Sequence, residues 1–168
     1  MNKIDLLIVG KTPPPVGGVS IHISRLIQKL EKEGYKFKHY HTGKTNAIKL
    51  AKLMRDSKAV HLHMYNPVLR FVLLILGKIL GCKMIFTFHG NVGRHTFLKG
   101  RLDRWAFAIS NIGVVINSKS ADVVSNYKSV RQASAFLAPV KTQPLSKSIL
   151  SKLEEVRKDV TKLYCAST

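Results

Sequence analysis

The sequence predicts an α/β fold with a mostly parallel sheet, and three observations predict it. Apolar runs rich in β-branched residues alternate with helical patterns from one end of the chain to the other. Each apolar run is short, and turn residues separate it from the next helical pattern. No internal repeat or low-complexity tract breaks the alternation. Strands that alternate with helices require right-handed βαβ crossovers, which make a parallel sheet covered by helices on both faces. That architecture is Rossmann-like.

The first strand is expected at Asp5–Gly10, where Leu6 to Val9 form a continuous apolar run. The first helix follows at Gly18–Glu33. Val19, Ile23, Leu26, Ile27 and Leu30 keep the i, i+4, i+7, i+8, i+11 spacing of one helical face, and Gly34 supplies a C′ stop. A strand at Tyr35–His41 leads to a helix at Asn46–Ser57 and a strand at Ala59–Met64. Pro67 and Gly81 bracket the next helix, Pro67–Leu80, as helix starts and stops do. Strands at Lys83–Phe88, Ile112–Asn117 and Ser134–Ala138 complete the sheet, with helices at Lys99–Ser110 and Lys119–Lys128 between them. The texture changes after Pro139: Val140–Pro144 suits a linker, Leu145–Val160 an exposed amphipathic helix, and Thr161–Ala166 the start of a further strand. The expected organisation is therefore a domain over 1–143, then a linker helix over 144–168 leading into another domain.

Composition narrows the function. At about 150 residues per domain, the 168 residues make one domain with an appendage. A hydrophobic content of 45% and a mean hydropathy of +0.02 exclude a disordered chain. Lys and Arg number 28 against 9 Asp and Glu, a net charge of +19 and a pI near 10.2, which call for an anionic partner. Cys82 and Cys165 lie far apart in no motif, which argues against a disulfide framework or a cysteine zinc site and suits a reducing, cytoplasmic setting. The run before Gly10 is too short for a signal peptide, and the longest apolar stretch, Phe71 to Leu80, is half the length a bilayer span needs.

In parallel sheets, ligands sit beyond the carboxyl ends of the strands, so the residues after each strand carry the functional signal. The first strand runs into Gly10-Lys-Thr-Pro-Pro-Pro-Val-Gly-Gly-Val-Ser20. Glycines at a helix N-terminus let backbone N–H groups approach an anion. Neither GxGxxG nor GxxxxGK[ST] is present, and spacing alone leaves open a stiff Pro-rich turn without a ligand. The fourth strand opens into His89-Gly-Asn-Val-Gly-Arg94-His95. His89 can bond a hydroxylated ligand or carry a proton there, although a single histidine taken alone reads first as structural. Period two places His61 and His63 on one face, and His39 and His41 repeat that spacing. A third ligand at regular spacing is missing, so strand-end hydrogen bonding rather than metal is expected of these pairs.

Four stretches taken together resemble the N-terminal half of a family four, GT-B type glycosyltransferase, with a flavour of bacterial polysaccharide biosynthesis. They are Pro15-Val-Gly17-Gly18-Val19, His61-Leu-His63, Thr87-Phe88-His89-Gly90, and Val114-Val-Ile-Asn-Ser118-Lys-Ser-Ala-Asp122, in the family's order across about residues 4–140. The resemblance implies a two-domain enzyme that moves a sugar from a nucleotide-sugar to a glycan or lipid-linked acceptor, with retention and without a bound metal or other cofactor. It implies that Gly17 and Gly18 face the donor pyrophosphate and that His89 lies near the transferred sugar. Asn66, Asn91 and Arg94 are the acceptor contacts expected by position. Family members continue into a second domain that holds the nucleotide and a pair of glutamates, for which the adjacent Glu154 and Glu155 are no substitute. The chain is accordingly expected to be the acceptor-side part of such an enzyme, a truncated product or one half of a split one, inactive alone.

The basic charge fits work on lipid-linked sugars at the inner face of a membrane, where each Lys or Arg near anionic lipid contributes about 1 kcal/mol. In Asn46–Ser57 and just beyond it, Lys49, Lys52, Arg55 and Lys58 step by three along one side, with Ile48 the one large apolar residue there and Leu50, Leu53 and Met54 opposite. Such a helix suits either interfacial binding or a solvated face. Arg94, Lys99, Arg101 and Arg104 form a second basic cluster beside Trp105 and Phe107. The alternatives are a basic nucleic-acid-binding domain or a non-catalytic membrane-surface domain. The charge is spread along the whole chain and no nucleic-acid recognition motif is present, which disfavours nucleic acid.

Overall fold

The computed structural model describes residues 4–43, 46–93, 97–134, 137–138 and 146–158. It divides into two compact units, Met1–Ala138 and Pro139–Thr168. In the first unit the elements run β1 (Ile4–Gly10), α1 (Gly18–Lys32), β2 (Phe37–His41), α2 (Ala47–Arg55), β3 (Ser57–Leu62), α3 (Pro67–Ile79), β4 (Lys83–Phe88), α4 (Phe97–Ile109), β5 (Ile112–Val115), α5 (Ser118–Val123) and β6 (Val130–Gln132). The strands form one parallel sheet in the order β2-β1-β3-β4-β5-β6. The fold is Rossmann-like α/β, as the alternating pattern predicts. The order turns back on itself between β1 and β3, the switch point of a doubly wound sheet and the place where such sheets open a crevice.

Parallel register decides which side chains share a face. Val9 pairs with Leu62, and Leu62 with Phe86. These residues pack with Leu50 and Met54 of α2, Leu73 and Leu74 of α3, and Ala106 and Phe107 of α4 into one buried core. The opposite face carries Ile8, His61 and Ile85, in register with one another. Helix α1 covers that face through Ile23, which has no solvent exposure. A Cβ at Gly10, at the carboxyl end of β1, would stand 2.5 Å from Ile23 Cδ1 and 3.1 Å from His63 Cβ, so a larger residue would press on both. The missing side chain lets α1 and the end of β3 close over the strand end.

Helices start where the sequence offers caps. Asn46 Oδ1 accepts the Lys49 N–H, and Asn66 Oδ1 accepts the N–H groups of Val68 and Leu69. Between α3 and α4 lies a buried ion pair, Arg70 with Asp103, whose side chains are 3% and 0% exposed. Burial pulls the Arg70 guanidinium below its usual value, and Asp103 pulls it back up. Arg70 also donates 3.1 Å to the Met64 carbonyl and stacks over Phe88 at 4.6 Å. One guanidinium thus joins the β3–α3 loop, the end of β4 and α4.

Several element ends differ from expectation by one or two residues, and two elements depart further. The sixth strand lies at Val130–Gln132 rather than Ser134–Ala138, and α5 ends at Val123 rather than Lys128. The two shifts have one cause. Tyr127 N–H donates to Val124 O and Val130 N–H to Tyr127 O, so the chain turns early and pairs Val130 with Gly113. In the second unit, α6 spans Lys147–Lys158, within the expected helix. The expected linker Val140–Pro144 and strand Thr161–Ala166 lie outside the described residues. Cys82 is buried and its Sγ donates to Met54 O, while Cys165 lies outside the described residues.

Removing one member of the buried pair leaves the other charge stranded. Asp103→Ala is expected to cost about 3–5 kcal/mol of unfolding free energy, read from urea denaturation. The double variant Arg70→Met/Asp103→Leu should recover most of that loss, because an apolar pair removes both desolvation costs. A single variant as stable as the parent would show that the pair does not hold α3 to α4.

Candidate functional site

A cleft of about 560 Å³ opens at the switch point, within the range of about 300–1,000 Å³ usual for small-molecule sites. Its walls come from the loop after β1 and the first turn of α1, from His63 to Asn66 after β3, and from Phe88 to Gly90 after β4. Lys11 adds positive charge to the lining, while Arg70, which also lines it, is paired with Asp103.

Gly17 is the N-cap of α1. Its N–H donates to Ser20 Oγ at 3.0 Å, and that hydroxyl lies 2.9 Å from the Pro15 carbonyl oxygen. The Pro-rich loop is therefore fastened to the first turn of the helix. The Gly17 N–H is spent on this cap instead of facing a phosphate, which corrects the simplest form of the expectation. Gly18 meets nothing within 4 Å of where a Cβ would stand, so the wall is open at the helix start.

His89 lies at the cleft, as its place after β4 requires, but it is not solitary. Its Nε2 lies 2.9 Å from His63 Nδ1. His22 of α1 packs edge-on against His89, with ring centroids 5.0 Å apart, and lies 5.6 Å from His63. The His61 ring lies 4.1 Å from that of His63 and is tilted 41° to it, and its Nε2 lies 2.8 Å from Thr87 Oγ1. Period two accounts for the grouping. His61, His63, Thr87 and His89 all fall on the α1 side of β3 and β4 and their continuations. Burial holds these rings neutral: it pulls His61 down to about 3, with help from His22 and His89, and His89 down to about 4, with help from His22. His63, 4% exposed, is held well below its ordinary value by burial first and by His61, His89 and His22 after it. His63 Nε2 is buried with no hydrogen-bond partner, a state that costs roughly 1–3 kcal/mol.

The other expected contacts fare differently. Asn66 lines the cleft, but its Oδ1 caps α3, so only its amide nitrogen is left for an acceptor. Asn91 does not line the cleft. It is exposed, and its Oδ1 accepts from Asn117 Nδ2 at 3.2 Å, tying the loop after β4 to the one after β5. Arg94 lies outside the described residues. At the edge of the sheet, His39 Nε2 lies 3.1 Å from the Gly10 carbonyl oxygen and His41 Nδ1 accepts the Gly43 N–H. Sequence reasoning missed His22 and Arg70. The signal for His22 was present, since it lies three residues after Val19 and four before Leu26, on the apolar stripe of α1.

No known protein-family model matches the chain, and no curated protein does. No helix among the described residues is long and apolar enough to cross a membrane.

The histidine cluster sets a pH dependence with a definite sign. A histidine held below its unfolded value of about 6.5 leaves the unfolded chain binding more protons than the native one. Its contribution is therefore complete above pH 6.5 and is lost as the pH falls toward the folded values near 4 and 3. Each such histidine contributes a slope of roughly 1.4 kcal/mol per pH unit across that window. Urea midpoints measured at pH 7.5 and pH 5 should show a marked loss at the lower pH. Equal midpoints would mean that the imidazoles titrate as they do in water.

Proposed function

We propose that this chain is the acceptor-side domain of a retaining glycosyltransferase of the GT-B type, acting on sugars carried by pyrophosphate at a membrane surface. The observation that carries the reading is convergence. The four stretches that resemble the family are scattered over about a hundred residues of sequence, yet all meet at the carboxyl edge of one sheet. Three of them contribute to the cleft itself. The fourth is bonded to the loop after β4, through Asn117 Nδ2 to Gly90 O and through Ser120 Oγ to Val92 N–H. An open helix start at Gly18, Lys11 at the rim and a polar histidine beside an apolar wall suit a phosphorylated sugar joined to a lipid.

The surface supports the membrane part of the reading. Val68, Val72, Ile75 and Ile79 follow the i, i+4, i+7, i+11 spacing on the outer side of α3 and are between 40 and 76% exposed. Trp105 of α4 lies beside Phe71 of α3, ring centroids 6.0 Å apart, and is itself half-exposed. Lys78, Arg101 and Arg104 lie on the same two helices. An apolar stripe with basic neighbours is the composition of an interfacial helix. In α2, by contrast, Leu50 and Met54 are buried and only Ile48 is left outward, 84% exposed.

The test uses a short-chain polyprenyl-pyrophosphate sugar as ligand and calorimetry or NMR as readout. Saturable binding is expected, with inorganic pyrophosphate competing. Gly18→Glu places a carboxylate where the phosphates approach and should weaken binding at least about tenfold, about 1.4 kcal/mol. Its melting temperature should hold, since an acidic residue suits the first turn of a helix. A chain that binds duplex DNA but no sugar pyrophosphate would overturn the reading.

Co-sedimentation checks the membrane side. Binding to phosphatidylglycerol vesicles should exceed binding to phosphatidylcholine vesicles and should fade with salt, because the Debye length is about 10 Å at 0.1 M. Val72→Glu/Ile75→Glu should release the chain from both. Unchanged sedimentation of that variant would exclude α3 as the docking face.

A further inference from the structure

We propose that His22, His63 and His89 form a binding site for a divalent transition metal of the zinc type, with its fourth coordination position open to the cleft. The proposal goes beyond the glycosyl-transfer reading and does not depend on it.

Geometry carries the inference. Each of the three imidazoles offers one ring nitrogen, and these nitrogens lie within 4.8 Å of one another. Among the described residues this is the one such cluster of three metal-binding side chains. Zinc bonded to nitrogen at 2.0–2.1 Å in a tetrahedron sets its ligand atoms about 3.3 Å apart. The 2.9 Å between His63 Nδ1 and His89 Nε2 is close to that edge already.

The state without metal supplies the second observation. His63 is nearly inaccessible to solvent, and the Nδ1 that would ligate the metal faces a second imidazole. Two neutral imidazoles in contact satisfy each other with one shared proton, and a third stands edge-on to the second. A Lewis acid accepts lone pairs from all three at once.

The supports are rigid. The ligands come from three elements: His22 from α1, His63 from the end of β3 and His89 from the end of β4. His61 packs against His63 and is itself held through Thr87, an outer contact that orients a ligating ring. Three histidines with a fourth position open to a cleft is the ligand set of catalytic rather than structural zinc. Imidazole nitrogen without thiolate or carboxylate selects zinc, copper or nickel over magnesium and calcium. Water or an anionic oxygen of a cleft ligand completes the tetrahedron.

The experiment uses the full chain without a histidine tag, stripped with a chelator and titrated with Zn²⁺ against a chromophoric competitor. One equivalent is expected to bind, and Co²⁺ in its place should give the intense visible absorption of tetrahedral cobalt. Zinc should also raise the melting temperature, as any ligand specific to the native state does. His22→Ala and His89→Ala should each weaken zinc binding at least about 100-fold, beyond what loss of an outer contact usually costs. His22 is half-buried on a helix, so its variant is the one expected to keep its fold, which circular dichroism checks. His41→Ala, at the far edge of the sheet, should leave the affinity unchanged. Absence of stoichiometric binding would overturn the proposal. Binding that survives both His22→Ala and His89→Ala, or that falls only with His41→Ala, would overturn it as well.

Discussion

In-register parallel pairing of β1, β3 and β4 is the constraint on which the rest of this structure depends. Parallel strands present alternate residues to opposite faces, and register carries the alternation across the sheet. Once Val9, Leu62 and Phe86 are committed to the larger core, Ile8, His61 and Ile85 must face α1. Residues 63, 87 and 89 continue that face past the strand ends. A shift of one residue in either pairing would send the imidazoles into the Phe86 and Phe107 core and the leucines toward α1. The large apolar cost of such a slip protects the polar cluster, which has little stabilising energy of its own.

The cleft depends in turn on how the strand ends are held. On one side the Ser20 hydroxyl fastens Gly17 and Pro15, and the absent side chain at Gly10 lets α1 approach. On the other, Arg70 reaches from α3 to Asp103 of α4 and to the Met64 carbonyl while stacking on Phe88. A buried ion pair is seldom worth more than a well-packed apolar pair. Its value here is directional, because a guanidinium with several fixed donors orients a loop in a way that Leu or Met cannot. The floor of the cleft is therefore built from the same side chain that joins the two helices.

A buried row of neutral histidines is costly unless it is used. Each ring excluded from water favours its uncharged form, and the neighbouring rings oppose a second proton more strongly than a first. Sugar hydroxyls and metal ions both seek neutral imidazole nitrogen, so the two proposed ligands call on the same constellation. Those two occupants would compete at His89.

The order of strands and helices was legible in the sequence because apolar periodicity reports directly on burial. Residues 19, 23, 26, 27 and 30 can share only one helical face, and a run such as Leu6 to Val9 needs cover on both sides. The placing of Gly17, Gly18, Asn66 and His89 at the cleft followed from the rule that such sheets bind ligands beyond their carboxyl ends. The last strand was misplaced because its three residues have no period to detect, and hydrogen bonds of the turn before it set its register. Asn91 was misjudged because position after a strand gives proximity to the cleft without giving direction. Pairings between distant residues left no local trace at all. Arg70 and Asp103 each look like a lone charge on an apolar helix, and His22, His63 and His89 stand on three elements separated by tens of residues. Sequence by itself determined the alternation of strands and helices and which residues follow each strand, since both follow from local pattern. Only the tertiary structure decided which of those residues meet, because contact across a sheet depends on strand order and register, which no local pattern encodes.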